Sequence, residues 1–134
     1  MATIVITGAS DGIGAAAARA LAADHTVVVV GRSPAKTSAI AAQLGVDHYT
    51  ADFARLADVR RLAADLAAAH PVIDVLANNA GGVLRTRSVT VDGYEATFQV
   101  NHLAPFLLTT LLLPNLRAGA GTVIMTSSAA SRSG

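Results

Sequence analysis

A chain of 134 residues sets a prior of one domain, large enough for a real core. Hydrophobic residues make up 52% and charged residues 14%, which favours a buried parallel sheet over a disordered or highly charged binding protein. The net charge of +1, from ten basic and nine acidic residues, gives a nucleic-acid role no support, and the lack of cysteine excludes disulfides, thiolate zinc sites and a Cys nucleophile. The N-terminus enters a strand at once and carries no basic n-region, so no signal peptide is expected. The longest apolar stretch, Leu103 to Leu113, is interrupted by Pro105 and is too short to span a bilayer. A cytoplasmic location is the default expectation.

Strand and helix signals alternate along the chain. Thr3–Thr7 is predicted as the first strand and Ala15–Ala23 as a helix. Between them lies Thr7-Gly8-Ala9-Ser10-Asp11-Gly12-Ile13-Gly14. A strand, a glycine turn and a helix start in this order point bare N–H groups and the positive helix end at one spot, which suits a phosphate. Gly8 allows the sharp turn, Gly12 the approach of a pyrophosphate to the backbone, and Gly14 close packing of helix on strand. The continuous β-branched run Thr26–Val30 reads as a strand buried on both faces. Ser33 and Pro34 then form an N-cap and first-turn pair for a helix running to about Leu44 and stopped by Gly45.

Val46–Thr50 is predicted as a third short strand, followed by a helix over Ala54–Ala69 that ends at Pro71. Val72–Ala77 reads as strand four, Val91–Leu116 as one long helix bent near Pro105, and Thr122–Ser127 as strand five. Five strands separated by helices predict an α/β, Rossmann-type doubly wound parallel sheet of order 3-2-1-4-5. Ligands of such sheets bind at the carboxyl ends of the strands. The glycine turn, Arg32, Asp52, Asn79 and Ser128 all fall at or just beyond those ends.

Taken in order, Thr7-Gly8-x-x-x-Gly12-x-Gly14, Asp52, Asn78-Asn79-Ala80-Gly81, Asn101 and Ser127-Ser128 resemble the successive motifs of the short-chain dehydrogenase/reductases. The match runs across the whole chain, and the Asn-Asn-Ala-Gly segment is its most specific part. Sugar-nucleotide epimerases usually show a different glycine spacing and lack that segment. The stretch Val91 to Thr109 is similar to the retinol-dehydrogenase-like branch, which hints at apolar substrates.

The resemblance implies an NAD(P)-dependent oxidoreductase that interconverts an alcohol and a carbonyl by hydride transfer, with a small-molecule substrate; homo-oligomerisation is left open. It implies cofactor binding by Gly8, Ser10, Asp11, Gly12, Ile13, Gly14, Arg32, Ser33, Asp52, Phe53, Asn79, Ala80 and Gly81. Asp52 would meet the adenine amino group through its carboxylate; its ordinary reading is the N-cap of a helix starting at Phe53. Phe53 would offer a backbone group, and Asn79 would meet the ribose region while Asn78 braces neighbouring strands. An acidic residue after strand two would grip both ribose hydroxyls; Arg32 stands there instead and suits a 2′-phosphate. NADP(H) is therefore favoured over NAD(H), although Asp11 cuts the other way, because many NADP-preferring relatives carry a basic residue there.

Ser128, with Ser127 as runner-up, is the implied catalytic serine, bonding the substrate oxygen rather than acting as a nucleophile. Asn101 lies in an otherwise apolar helix. Its ordinary reading is a buried packing amide with several partners; the resemblance makes it a holder of water in a proton relay. The four histidines show no metal-ligand spacing, and no metal is expected.

The family's Tyr-x-x-x-Lys acid/base pair does not occur in the sequence, whose only lysine is Lys36. Residues 1–134 therefore read as a dinucleotide-binding domain without its later strands and substrate part, inactive alone. The first half of a longer enzyme is the preferred explanation over a true half-molecule. An open edge at strand five and an uncovered apolar helix predict that this stretch alone aggregates or forms abnormal oligomers. The alternative function is a non-catalytic dinucleotide sensor or scaffold, since binding needs the same first half.

Overall fold

The computed structural model describes residues 1–128. Five parallel strands lie in the order β3-β2-β1-β4-β5, with β1 at Thr3–Thr7, β2 at Thr26–Gly31, β3 at Asp47–Thr50, β4 at Val75–Asn78 and β5 at Thr122–Met125. The register pairs Ile4 with Val27 and Val75, and Val75 in turn with Thr122. The expected sheet order is therefore the observed one.

Because side chains alternate along a strand, each face of the sheet collects its own core. Ile4, Ile6, Val27 and Val29 pack with Ala15 and Ala18 of α1 (Gly12–Leu21) and with Ile40 and Ala41 of α2 (Pro34–Leu44). Val5, Val28, Val30 and Leu76 face the other way. They meet Val59, Leu62 and Leu66 of α3 (Leu56–Ala69) together with Leu108 and Leu116 of the last helices. The valine run of β2 is buried on both faces for this reason. Ser33 caps α2, and Gly45 ends it in the left-handed region at φ +65°.

The expected long helix over Val91–Leu116 is instead a series of short pieces. Thr90 and Tyr94 close a tight turn, with the Thr90 N–H donating to the Tyr94 carbonyl at 2.8 Å and Gly93 at φ +86°. Helix α4 (Ala96–Phe98) starts only after the Glu95 carboxylate has accepted the Thr97 and Phe98 N–H groups, each at 2.9 Å. Those two bonds hold the Glu95 carboxyl below its ordinary pKa. A π turn at Gln99–Leu103 follows, in which the Ala104 N–H bonds the Gln99 carbonyl. Pro105 has no N–H and its ring crowds the preceding turn, so the wider turn sits directly before it. Helix α5 (Ala104–Leu111) stops at Leu112, and Pro114 opens α6 (Leu113–Ala118).

Other boundaries also differ from expectation: α1 covers Gly12–Leu21 rather than Ala15–Ala23, β3 starts at Asp47 rather than Val46, and β5 ends at Met125 rather than Ser127. Strand β4 begins at Val75 rather than Val72, because the Asp74 side chain and the Ile73 backbone are already committed to other partners. Helix α3 begins at Leu56, with Arg55 at its N-cap position making no side-chain cap bond. Strand β5 is exposed along its whole length and forms one edge of the sheet. No helix among the described residues is long and apolar enough to cross a membrane.

Candidate functional site

The carboxyl ends of all five strands lie on one edge of the sheet, and the loops that leave them meet there. Thr7 organises the centre. Its buried hydroxyl accepts the Asn79 N–H at 3.1 Å and the Ala80 N–H at 3.0 Å, and donates to the Ala77 carbonyl at 3.4 Å. One donor and two acceptor positions are thus all used. The Asn79 amide donates to the Gly8 carbonyl at 3.4 Å, which ties the segment after β4 to the glycine turn.

Gly8 takes φ +64°, and a Cβ there would lie 2.8 Å from Ala80 Cα. Gly14 is buried against the Gly8 carbonyl oxygen and the Asn79 amide, so no side chain fits between them. Gly12 differs: at φ +56° it faces open space, with nothing within 4 Å of where a Cβ would stand. Ile13 beside it is 77% exposed. Asp11 caps α1, its carboxylate accepting the Gly12 N–H at 2.8 Å. The Gly12 N–H is thus taken by Asp11, but the open space over Gly12 at the start of a ten-residue helix leaves room for a phosphate group at the first turn, and in this the residues present fit a dinucleotide.

The second loop closes on the first. A Cβ on Gly31 would collide with the Thr37 hydroxyl and come 3.0 Å from Ser10 Cβ, so the two turns touch. Arg32 is exposed immediately after β2. The Ser33 hydroxyl accepts the Lys36 N–H at 3.3 Å, and the Lys36 ammonium lies 3.7 Å from the Asp11 carboxylate.

Asp52 follows β3 and lines a hollow of about 300 Å³ with Ala54, Leu84 and Thr90. The ordinary reading of Asp52 as the cap of a helix starting at Phe53 does not hold. Its carboxylate accepts the Ala54 N–H at 2.9 Å, closing a local turn before α3 begins. The first N–H of α3, on Leu56, goes to the Asp92 carboxylate at 2.9 Å, so the cap comes from a loop 36 residues away. The Phe53 ring is buried, and its carbonyl accepts the Gln99 amide at 3.1 Å.

Gln99 is the residue that sequence reasoning missed. It is wholly buried; its amide nitrogen also donates to the Asp92 carboxylate at 3.0 Å, and its oxygen accepts the Thr90 hydroxyl at 2.6 Å. It holds the wall of the hollow together. A polar amide at helical spacing from the apolar Ala96 and Leu103 was the available signal.

The ordinary reading of Asn101 as a buried packing amide does not hold. Asn101 lies exposed in the π turn, where its oxygen accepts the Gly82 N–H at 2.9 Å and its amide donates to the Gly82 carbonyl at 2.8 Å, in the loop after β4. Gly81 permits this approach, since a Cβ there would lie 2.9 Å from the Asn101 oxygen. Buried Asn78 ties β4 to α5 through the Thr109 hydroxyl at 3.0 Å and to β5 through Met125 Sδ at 3.2 Å. Ser127 and Ser128 follow β5 and are exposed, and Thr126 donates to the Asn79 amide oxygen at 3.4 Å. Among the described residues no group of three or more His, Cys, Asp or Glu could hold a metal ion.

A parallel 3-2-1-4-5 sheet with a glycine turn at its centre and a locked Asn-Ala segment beside it defines a Rossmann-like nucleotide-binding fold. The chain belongs to the short chain dehydrogenase family, whose model matches residues 2–134. It is 49% identical over 133 residues to a Streptomyces sp. (strain C5) protein provisionally named daunorubicin C-13 ketoreductase DnrU, covering 94% of this chain and 46% of that one. It is 36% identical over 131 residues to retinol dehydrogenase 13 of Homo sapiens, covering 92% of this chain and 40% of that one. Among solved structures, the Pseudomonas aeruginosa RhlG/NADP active-site complex superimposes with a TM-score of 0.75 at 31% identity, over 87% of this chain and 49% of that one. The chain thus spans a little under half the length of these relatives.

Proposed function

We propose that this chain is the dinucleotide-binding part of an NAD(P)-dependent oxidoreductase that interconverts an alcohol and a carbonyl. The observation that carries the reading is the open space over Gly12, set in a turn that Thr7 and Asn79 hold rigid. When bound, the nicotinamide cofactor supplies or takes up the hydride. The chain's own residues bind and orient. Gly8, Ser10, Asp11, Gly12, Ile13 and Gly14 carry the pyrophosphate, Asp52 and Phe53 the adenine end, and Asn79, Ala80 and Gly81 the ribose region.

Ser128, just past β5, donates to the substrate oxygen and stabilises charge that develops on it. Asn101 keeps a second lone pair on its amide oxygen beside the Gly82 bond, and through it holds a water for proton relay. The family's Tyr-x-x-x-Lys pair does not occur among these 134 residues, so the proton step is not assigned to any of them. Arg32, with no carboxylate beside it at the end of β2, favours NADP(H) over NAD(H). The relatives named for ketoreductase and retinol dehydrogenase activity support a small, apolar carbonyl or alcohol substrate.

The test is Ser128→Ala in the full-length protein. Turnover of a carbonyl substrate, followed by NADPH absorbance, is expected to fall by roughly 100-fold. NADPH affinity, measured by fluorescence titration, is expected to stay within about twofold of the wild type, because no cofactor contact is removed. A large loss of cofactor binding would place Ser128 against the dinucleotide and not against the substrate.

A further inference from the structure

Aspartate stands directly before glycine at two places, Asp11-Gly12 and Asp92-Gly93. This pairing has a chemistry of its own. Glycine has no Cβ to shield its nitrogen or to restrict its backbone, so that nitrogen can reach the carboxyl carbon of the preceding side chain. A succinimide ring then forms. The N–Cγ bond is made, the Cγ–OH bond of the protonated carboxyl breaks, and the N–H proton leaves with that hydroxyl as water. Water reopens the ring on either side. Attack at Cγ restores aspartate. Attack at the aspartate backbone carbonyl leaves isoaspartate, whose main chain runs through the side chain and is one methylene longer. Water is the only other reactant.

The structure separates the two pairs. The Gly12 nitrogen lies 2.8 Å from Asp11 Oδ1, so the nucleophile already faces the carboxyl group it would attack. The Asp11 side chain is 82% exposed, and nothing stands within 4 Å of where a Gly12 Cβ would be. Neither water nor rotation of the turn is obstructed. The ion pair of Asp11 with Lys36, at 3.7 Å, is exposed and weak. Asp92 has the opposite setting. Its Oδ2 accepts the Leu56 N–H at 2.9 Å and the Gln99 amide at 3.0 Å. The Gly93 N–H is itself committed, donating to the Thr90 carbonyl at 3.0 Å. All three bonds must be given up before that ring can close.

We propose that Asp11-Gly12 is a site of spontaneous isomerisation to isoaspartate, and that a bound dinucleotide suppresses it. The extra methylene falls at the N-cap of α1, so the cap is lost and the glycine turn changes shape. The empty protein thus ages at the point where its ligand binds, and the occupied protein does not. The suppression rests on the proposed binding of a dinucleotide at the glycine turn; the isomerisation does not.

The experiment holds the full-length protein at body temperature for weeks, with and without saturating NADPH. Trypsin places the two pairs in separate peptides, 1–19 and 88–117. Electron-transfer fragmentation then measures isoaspartate in each. It is expected to accumulate about tenfold or more faster in the first peptide than in the second, because Asp92 and Gly93 must first give up their bonds. NADPH is expected to slow the first peptide by about tenfold or more. Aged wild type should bind NADPH more weakly than fresh protein. Asp11→Ser keeps an N-cap acceptor but has no carboxyl, and should lose no affinity relative to its own fresh sample. Equal rates in the two peptides, or no isoaspartate at Asp11, would overturn the proposal. If isoaspartate forms there equally fast while titration shows NADPH bound, the suppression is wrong and the dinucleotide lies away from the glycine turn. If no dinucleotide binds at all, the functional reading fails and the suppression with it, while the faster rate in the first peptide still upholds the isomerisation.

Discussion

The two ends of the sheet are tied off by different chemistry. At the end where the strands begin, side chains saturate the backbone. The Asp74 carboxylate accepts the Thr3 N–H at 2.8 Å and the Ala120 N–H at 2.9 Å, joining the entries of β1, β4 and β5. The Asn115 side-chain amide donates to the carbonyls of Ala67, His70 and Pro71 at 3.2 to 3.3 Å, and the Asn115 backbone carbonyl accepts the Ile73 N–H. At the end where the strands finish, the ties are made by small residues, Thr7, Gly8, Asn79 and Gly14, and the space over Gly12 is left open. The first end is closed and serves stability. The second is rigid but open, as a site must be if a ligand is to complete it.

The sharpest way to break this contrast lies within the glycine turn itself. Gly14→Val is expected to cost about 4 kcal/mol or more, because the new side chain meets the backbone of Gly8, which no rotamer change can relieve. Loss of the cooperative urea transition is the expected readout; a variant as stable as the wild type would mean that α1 does not pack on the turn as described. At the opposite end, Asn115→Leu should cost about 2 to 3 kcal/mol, since it removes the donor from three carbonyls. A lower urea midpoint with unchanged NADPH affinity would keep the two ends separate. An equal loss of affinity would show that they are coupled.

The order of elements was legible because local signals agree with tertiary demands. The valine run of β2 and the span from the Ser33 cap to the Gly45 stop read correctly from neighbouring residues alone. The gathering of Arg32, Asp52, Asn79 and Ser128 at one sheet edge followed from strand ends and the parallel topology. What stayed hidden depends on partners distant in sequence. The apolar pattern from Val91 to Leu116 is continuous, and nothing local reveals a π turn at Gln99–Leu103 or a break at Leu112. Asn101 read as a packing amide because its neighbours Val100 and Leu103 are apolar. The roles of Gln99 and Asp92 arise from bonds to Phe53 and Leu56, 46 and 36 residues away.

Gly12 sharpens the contrast from the other side. Gly12→Val adds a side chain where nothing stands, so packing is undisturbed and the folding cost is confined to backbone strain at φ +56°, about 1 to 2 kcal/mol. The new branch occupies the open space at the first turn of α1, and dinucleotide affinity should fall by about tenfold or more. A folded variant that still binds NADPH normally would remove the glycine turn from the site.

The smallest effect expected is one of pH at the closed end. The Thr3 N–H, foremost, and the Ala120 N–H hold the Asp74 carboxyl below the ordinary aspartate value of 3.8. A carboxyl with a lowered folded-state pKa stabilises the fold fully above its unfolded pKa, and that contribution is lost as pH falls through the lowered value. Asp74→Asn should therefore melt below the wild type at pH 7, and the gap should close as pH drops below about 4. Glu95, shifted in the same direction by its own backbone bonds, is present in both proteins and cancels from the difference. A gap that stays constant down to pH 2 would mean that Asp74 acts through shape and not through charge. NADPH affinity at neutral pH should not move, because the carboxylate lies at the end of the sheet away from the glycine turn.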